Sequence, residues 1–298
     1  MITLIFGAGA SFGCGPCEPF NPPLGMHLFE TLEAQGGAFS RLNAGAKEIF
    51  INQGFESGMS AIEDVNTAIN PLQKEIAIYL SQFRPHPKNA YIRLFKKLKS
   101  SSKNIAIAKL NYDLLIEHAL LNTGIPFSYG HSSALRLLKP HGSSNFLPNL
   151  GSMVLEGNVF AGCGSFVDGL PIDTPMTQQE VQSWCIDRKN SDISPALSMY
   201  APTKRVVMNR SLIEGIQQEF SKTIINSSLI VLVGVGLAEH DKHIWDPIKN
   251  SKGRILLVDI YPEKLISWAQ KHNLAHSHIK GGFKENIWTI TKEVHKFG

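Results

Sequence analysis

The sequence has few cysteines and no long hydrophobic run. Four of its 298 residues are cysteines, namely Cys14, Cys17, Cys163 and Cys185. This number is too small for a disulfide-stapled secreted scaffold, and no secretory signal pattern is found, so we expect a cytoplasmic protein with reduced thiols. The most apolar run, residues 229–237, is about half as long as the roughly 20 residues of a membrane span, which predicts no transmembrane segment.

Neither sign of charge is in large excess. The chain has 29 Lys and Arg residues against 25 Asp and Glu residues, a net charge of +4 without long like-charge runs. This mild basicity does not indicate a nucleic-acid or membrane-surface partner. Hydrophobic residues make up 43% of the chain and charged residues 18%, which is enough apolar material for a core. The length allows one large domain or two lobes.

Short apolar runs alternate with helical patterns along the chain. Five runs predict strands buried on both faces of a sheet: residues 1–6, 105–110, 135–139, 229–233 and 254–259. Helices are predicted over residues 91–99, from Asp113 to a stop at Gly124, and over residues 211–226, where Ser211 and Glu214 form a capping-box pattern. The alternation predicts an α/β fold, a Rossmann-like parallel sheet with helices on both faces.

Two stretches fall outside this alternation. Residues 22–88 have helical character, and residues 143–205 are rich in Gly, Pro, Ser and Asp. We expect them to form a smaller inserted lobe over the carboxyl edge of the sheet, where open α/β folds bind ligands. The Rossmann-like lobe would then comprise residues 1–21, 89–142 and 206–298.

A glycine turn follows the first predicted strand directly. Its residues are Gly7, Ala8, Gly9, Ala10 and Ser11. Such a turn lets backbone amides approach a pyrophosphate at the start of a helix. The third glycine of the dehydrogenase fingerprint is displaced to Gly13, with Phe12 in its place, which disfavours a plain hydride-transfer enzyme. A tight turn that binds no ligand is the alternative interpretation.

Polar residues follow two further predicted strands. Asn111 and Asp113 come after the strand at 105–110, where an amide could bind a water or a hydroxyl and a carboxylate could accept from a carboxamide. His141 follows the strand at 135–139, and Gly142 gives the backbone freedom to turn this histidine into the crevice as a general base. The alternatives are that Asp113 caps the next helix and that His141 is structural.

The last two predicted strands also end in candidate ligand residues. Gly234, Gly236 and Leu237 form a second glycine turn, which could face the other half of a dinucleotide. Asp259 ends the strand at 254–259, where a carboxylate can hold an adenosine ribose, and Pro262 is placed at the first position of a helix. Asp259 could equally be an ordinary cap.

In this order the five motifs resemble the signature series of the sirtuin (SIR2) superfamily, over nearly the whole chain. The match is closest to bacterial SIR2-like NAD-degrading proteins of anti-phage defence. Protein-deacylating sirtuins carry Gln where this chain has Leu110, and an Asp-Phe-Arg segment where it has Glu18 to Asn21. Their zinc ribbon of two Cys-x-x-Cys pairs has no counterpart after His141, since the one such pair, Cys14 and Cys17, lies in the first loop.

The resemblance implies that NAD is the substrate and that the nicotinamide–ribose bond is hydrolysed to nicotinamide and ADP-ribose or a cyclic form. It assigns Asn111, Asp113 and His141 to catalysis, residues 7–11 to the pyrophosphate, and the second glycine turn with Asp259 to the adenosine end. No metal is expected, although a zinc site made from the four cysteines is an alternative. An NAD-dependent protein deacylase and a non-catalytic NAD-sensing module are alternative functions. NAD-depleting activity would require control, so a homo-oligomer or a companion sensor protein is expected.

Overall fold

The computed structural model describes residues 1–62, 69–130, 134–151, 168–198 and 208–298. Within these residues the helices are α1 (Ala8–Phe12), α2 (Gly25–Glu33), α3 (Ala44–Gln53), α4 (Phe55–Ser60), α5 (Asn70–Leu80), α6 (Ala90–Leu98), α7 (Leu115–Thr123), α8 (Gln178–Ile186), α9 (Arg210–Ile225), α10 (Lys242–Asn250), α11 (Glu263–Lys271) and α12 (Ile287–Phe297). The strands are β1 (Ile2–Phe6), β2 (Cys17–Glu18), β3 (Arg84–Pro85), β4 (Ile105–Lys109), β5 (Phe127–Ser128), β6 (Leu135–Leu138), β7 (Leu147–Pro148), β8 (Ile172–Asp173), β9 (Leu229–Val233), β10 (Arg254–Asp259) and β11 (His276–Lys280).

Seven of the described strands form one parallel sheet. Their order is β11-β10-β9-β1-β4-β6-β5, with β1 at the centre between β4 and β9. The remaining strands form two small antiparallel pairs, β2 with β3 and β7 with β8. The predicted fold class is therefore confirmed as a Rossmann-like α/β fold.

The sheet is covered on both faces, as its apolar strands predict. Along β1, Leu4 and Phe6 belong to one hydrophobic cluster, together with side chains of α6, α7 and α12. Ile5 points the other way, into a second cluster that includes side chains of α9, α10 and α11. This alternation follows from the two-residue side-chain period of a strand. Both faces of the central strand are thus buried by helices.

All five predicted strands are present, but the sheet has two more. Strand β5 has only two residues, which is too short to produce a recognisable pattern. Strand β11 lies at the sheet edge, and its sequence from His276 to Lys280 is polar because much of its surface remains accessible. Edge strands commonly have this composition, since burial on both faces is not required of them.

The described parts of the two predicted insertions contact each other. Helix α5 lies in the first insertion and packs on α8 of the second. Asn70 Nδ2 donates to the carbonyl oxygen of Asp192 across 2.9 Å, and Ser194 Oγ donates to Gln73 Oε1 across 2.5 Å. Helices α2 to α4 enclose an aromatic cluster in which Phe29 stacks on Phe50 at a centroid distance of 4.5 Å. The assignment of these stretches to a separate lobe stays a prediction.

Two predicted details of helix ends are wrong. The capping-box pattern predicted that the Ser211 side chain caps α9, but no such bond is present. The backbone amide and the hydroxyl of Ser211 both donate to Asp168 Oδ1 instead. Pro262 is the N-cap of α11 and not its first residue. The predicted stop at Gly124 is confirmed, since this residue ends α7 in the left-handed conformation with φ +62°. In the part of the chain that the structure describes, no helix has the length and apolarity to cross a membrane.

Candidate functional site

The sheet order creates a crevice at the carboxyl ends of β1 and β9. From β1 the chain continues to β4 and β6 on one side, then returns to β9 on the other side of β1. Such a reversal of strand order leaves room between the loops that follow the two central strands, and open α/β folds bind their ligands there. The residues after these strands are the two glycine turns that the sequence singled out.

The two glycine turns pack directly on each other. The backbone amide of Gly7 donates to Val233 O and that of Gly9 donates to Gly234 O, both across 3.0 Å. Gly234 has φ +56°, and a Cβ atom on it would lie 2.2 Å from the backbone nitrogen of Ala10. Glycine is therefore required at this position by the contact between the turns, whatever ligand binds there. Gly236 differs, because a Cβ atom on it would meet no protein atom within 4 Å.

A buried polar cluster lies behind the first turn. Asn111 Nδ2 donates to Ser11 Oγ across 3.0 Å, and Ser11 Oγ in turn donates to Asp113 Oδ2 across 2.9 Å. Asp113 Oδ1 accepts from the Lys109 ammonium and from the backbone amide of Leu115, the first residue of α7, whose N-cap is Leu114. The Asn111 side chain is thereby held at the carboxyl edge of the sheet by a chain of hydrogen bonds.

The charges of this cluster are neutralised within the protein. Burial raises the pKa of the Asp113 carboxyl, but the charge and hydrogen bond of Lys109 outweigh burial, so its pKa lies below the ordinary value. A second buried ammonium, Lys139 Nζ, lies 2.6 Å from Glu117 Oε1 and 2.6 Å from Ser143 Oγ. Burial lowers the pKa of Lys139 more than the Glu117 charge raises it. Two buried ion pairs thus lie beneath the crevice.

His141 is oriented from both sides. Its Nδ1 donates to the carbonyl oxygen of Leu110 across 3.0 Å, so in the neutral imidazole the lone pair lies on Nε2. Gly142, with φ +84°, turns the chain at this point, and a Cβ atom on it would lie 2.0 Å from Ala196 O. The side-chain Nε2 of His141 lies 3.0 Å from His243 Nε2 and 3.5 Å from Asp241 Oδ2.

Predicted catalytic residues line one cavity of about 170 Å³ at this edge of the sheet. Its polar wall contains Asn111, Asp113, His141 and Asp241. Ala8 of the first glycine turn also lines it, whereas Ser11 is buried behind the wall. The opposite wall is apolar and comes from the first insertion, with Leu28 of α2, Phe55 and Met59 of α4, and Ile76 and Leu80 of α5. Residues of the first insertion therefore form one wall of this cavity.

The residues predicted to hold the adenosine end lie apart from this cavity. Leu237 lines a separate shallow depression beside α11, with Glu239 and Lys264. Asp259 ends β10, and its Oδ1 accepts from the backbone amide of Tyr261 across 2.8 Å. Strand β10 is the neighbour of β9 in the sheet.

Sequence reasoning missed several residues of the site. Asp241 and His243 flank the first residue of α10, and their spacing by two residues after a strand-ending glycine turn could have marked them. Lys109 is the last residue of β4, and Lys139 is the first residue after β6. A lysine at the end of an apolar strand could have indicated a buried ion pair at each position. These four residues surround the predicted ones.

The described cysteines do not assemble into one ligand set. Cys14 and Cys17 are neighbours, with their Sγ atoms 3.5 Å apart and Asn89 Nδ2 donating to both. Cys185 packs in a different hydrophobic cluster with Ala77 and Val181. Cys163 lies outside the described residues. The three described thiols are free cysteines.

The sheet order, the crevice and the glycine turns together define an open, doubly wound α/β fold with a cavity at its switch point. No protein-family model matches the chain, and no curated protein matches it. Among solved structures, it is similar to a mutant Sir2 homologue in complex with ADP-ribose, with a TM-score of 0.52 and 12% identity over 99% of this chain and 92% of the other. A Sir2 homologue–NAD complex has a TM-score of 0.49 and 11% identity over 99% of this chain and 89% of the other. Sir2 bound to an acetylated peptide has a TM-score of 0.48 and 14% identity over 98% and 92%. The first similarity gives this chain the fold of Sir2 homologues.

Proposed function

We propose that this protein is an NAD⁺ glycohydrolase, which cleaves the bond between nicotinamide and ribose. The observation that supports this most is the meeting of Asn111 and His141 in one cavity at the switch point of the sheet. A Sir2 homologue of the same fold has been solved with ADP-ribose, the product of such a cleavage. The fold and the pair of polar residues therefore favour a substrate with an NAD-like ribose.

The reaction breaks a bond to a leaving group that is already activated. The nicotinamide ring carries a positive charge in NAD⁺, so it departs with the bonding electrons as neutral nicotinamide and leaves an oxocarbenium-like centre on the ribose. Water adds to that carbon and loses a proton, which yields ADP-ribose. The enzyme must therefore stabilise a developing cation and position a water molecule.

Asn111 and His141 have the chemistry for these two tasks. The Asn111 amide nitrogen donates to Ser11 Oγ, so the amide oxygen remains able to accept from a water or a ribose hydroxyl. The Nε2 lone pair of His141 can accept a proton from that water or hydroxyl, because Nδ1 donates to Leu110 O. Proton transfer to a positioned base contributes typically about 10²–10⁴-fold to the rate.

We assign Asp113 a positioning role in place of direct contact with nicotinamide. Its carboxylate accepts from Lys109, from Leu115 and from Ser11, and Ser11 in turn holds Asn111. Asp113 is 1% exposed, which leaves little of it accessible to a substrate. Its effect on catalysis would then pass through the orientation of Asn111.

The dinucleotide would lie along the crevice, with its pyrophosphate beside the first glycine turn. The amides of Gly7 and Gly9 already donate to protein carbonyls. Pyrophosphate contact would therefore be made by other groups of the turn, of which Ala8 lines the cavity. The open space above Gly236 would admit the adenosine half, which brings it toward Asp259.

An enzyme that depletes NAD would be harmful unless it were controlled. We propose that the protein is an NAD-depleting effector of bacterial anti-phage defence and that self-assembly or a companion protein activates it. The motif series supports this role, because Leu110 stands where deacylating sirtuins carry Gln. The apolar wall from the first insertion would exclude bulk water from the reacting ribose.

The test follows nicotinamide release from NAD⁺ by purified protein, alone and with an extract of phage-infected bacteria. The variants His141→Ala and Asn111→Ala are compared with His295→Ala, which removes an exposed histidine on α12. We expect release without any acyl-peptide, near-complete loss in the first two variants, and an unchanged rate in the third. Full activity in both of the first two would contradict the assignment. Release only with an acetylated peptide would indicate a deacylase, and NAD binding without turnover a sensing module.

A further inference from the structure

Three side chains at the edge of the cavity point potential metal-ligand atoms at one another. They are His141, Asp241 and His243, and their nearest nitrogen and oxygen atoms all lie within 4.8 Å of one another. Nε2 of His141 lies 3.0 Å from Nε2 of His243 and 3.5 Å from Oδ2 of Asp241. Zinc bonds of about 2.0–2.1 Å in a tetrahedral arrangement place neighbouring ligand atoms about 3.3 Å apart. The observed spacings are close to this value.

The hydrogen bond made by His141 Nδ1 suits a metal ligand. A metal-bound histidine usually donates its other ring N–H to a backbone carbonyl or a carboxylate, which fixes the tautomer and the ring orientation. His141 Nδ1 makes this contact with Leu110 O across 3.0 Å. In the neutral ring its Nε2 carries the lone pair, and this atom is hydrogen-bonded to His243 Nε2 and faces Asp241. The contact has the form of the outer-sphere support found around metal ligands.

The three residues are held by two separate parts of the sheet edge. His141 is fixed by the turn at Gly142, and Ser198 N donates to its carbonyl oxygen across 2.8 Å. Asp241 is the N-cap of α10, and His243 is the second residue of this helix. The positive end of the helix dipole disfavours a cation near these residues, and the buried Asp241 carboxylate offsets that field. The three side chains are thus held near one another by the fold, and a metal would replace the proton that the two imidazoles share.

The coordination sphere would have one open side. His141 and Asp241 line the cavity, with side chains 13% and 8% exposed. Three protein ligands with a fourth position open to a cavity are the arrangement of zinc sites that bind water or a small ligand. Two imidazoles and one carboxylate suit divalent transition metals such as Zn²⁺, Co²⁺ and Ni²⁺ better than Mg²⁺ or Ca²⁺, which prefer oxygen ligands.

From this geometry we infer that His141, Asp241 and His243 form a binding site for a divalent transition-metal ion at the mouth of the cavity. Coordination would use the Nε2 lone pair of His141, the same lone pair that the proposed NAD cleavage needs as a base. Metal binding and catalysis would therefore exclude each other, and zinc would act as an inhibitor. The inhibitory part rests on the proposed function, whereas the metal site does not.

Metal binding is measured without NAD. Purified protein is stripped with a chelator, and the affinity for Zn²⁺ is determined by competition with a chromophoric chelator. We expect one Zn²⁺ per chain. Both His243→Ala and Asp241→Asn should bind Zn²⁺ about 100-fold more weakly or worse, because removing a ligand should cost more affinity than the roughly 10–100-fold lost with an outer-sphere partner. His295→Ala, which removes an exposed histidine on α12, should bind as the parent does. Circular dichroism shows whether each variant keeps the fold.

A spectrum distinguishes the site from adventitious binding. Co²⁺ bound by two imidazoles and a carboxylate in a four-coordinate site gives visible absorption bands, which should appear in the parent and vanish in His243→Ala. Binding that is equally strong in the parent and in both site variants would overturn the metal site. So would the absence of a stoichiometric complex in the parent.

The inhibitory role of zinc is tested by the rate of nicotinamide release from NAD⁺, measured with and without one equivalent of Zn²⁺. The parent should lose most of its activity and regain it when a chelator is added. Zinc that binds at these residues yet leaves the rate unchanged or raises it would overturn inhibition while the site stands. A parent that binds zinc but never releases nicotinamide would count against the proposed function alone.

Discussion

The backbone amide of Gly9 donates to the carbonyl oxygen of Gly234 across 3.0 Å, and this bond joins two turns that are 225 positions apart in the chain. It joins the loops after β1 and β9 at the point where the strand order reverses. Glycines that look like ligand-binding residues in the sequence therefore have a packing role in the folded protein. Substitutions can separate the packing role from the binding role.

Gly236→Ala should raise the KM for NAD with little effect on stability, whereas Gly234→Ala should lower the free energy of unfolding. A Cβ atom at position 236 meets no protein atom within 4 Å, so the free energy of unfolding should change by less than about 0.5 kcal/mol. If NAD passes over this residue, its KM should rise. At position 234 the positive φ and the contact with Ala10 should lower the free energy of unfolding by at least about 1–3 kcal/mol. Urea denaturation and NAD kinetics measure the two effects, and equal stability of the two variants would contradict the packing role.

Lys109→Met should destabilise the protein strongly. Lys109 and Asp113 form a buried ion pair, with side chains 0% and 2% exposed. Removing the ammonium leaves a buried carboxylate uncompensated, which typically costs about 3–5 kcal/mol. Adding Asp113→Asn to Lys109→Met removes the orphaned charge and should recover part of that loss.

The matched control for this pair is Arg210→Ala. Arg210 pairs with Glu214 at 2.7 Å on the surface of α9, where the two side chains are 57% and 48% exposed. The loss there should stay within about 0–1 kcal/mol. Urea denaturation of all four proteins gives the comparison. A single variant Lys109→Met as stable as the control would show that the buried pair contributes little.

Stability should fall as the pH is lowered from 6.5, in part because of His118. Burial and the Arg84 charge lower the pKa of His118 to about 3, and the Arg84 guanidinium contacts its Nε2. Between pH 6.5 and 3 the unfolded chain binds a proton that the folded protein does not, so the free energy of unfolding decreases as pH falls. One group contributes at most about 1.4 kcal/mol per pH unit.

His118→Gln should therefore flatten the dependence of stability on pH. Chemical denaturation between pH 6.5 and 5 is the appropriate measurement, because few carboxyl groups titrate in that range. His295→Gln, at an exposed position of α12, controls for the loss of a histidine as such. If the slopes of the parent and His118→Gln coincide, the neutral buried imidazole is not the cause.

Asp168→Ala should destabilise α9, whereas Glu214→Ala should not. Asp168 Oδ1 accepts from both the amide and the hydroxyl of Ser211, 43 residues away. Loss of a helix cap costs typically about 1 kcal/mol. Glu214 would be the partner of Ser211 in a capping box, but its carboxylate pairs with Arg210. Thermal denaturation of the two variants distinguishes the two arrangements. A larger loss of stability in Glu214→Ala than in Asp168→Ala would support the capping box of Ser211 and Glu214.

The pattern of strands was predictable because it depends on local composition. A parallel strand buried on both faces is mostly apolar, and strands lie at the five predicted apolar runs. The helix stop at Gly124 was predictable for the same reason, since its left-handed backbone favours glycine. Strand β11 and the cap of α9 were not, because one is a polar edge strand and the other depends on a contact across 43 residues.

The α/β alternation and the residues that end the strands follow from the local sequence, because side-chain size and polarity act within a few neighbouring positions. The sequence also predicted that Asn111 and His141 lie at one edge of the sheet, and both line the same cavity, since polar groups at the ends of parallel strands meet at that edge. Only the tertiary structure decided what each group touches. The carboxylate of Asp113 bonds to Lys109, the two glycine turns bond to each other, and His141 faces Asp241 and His243 from another helix. Those partners lie up to 226 residues apart in the chain, and folding alone sets the distances between them.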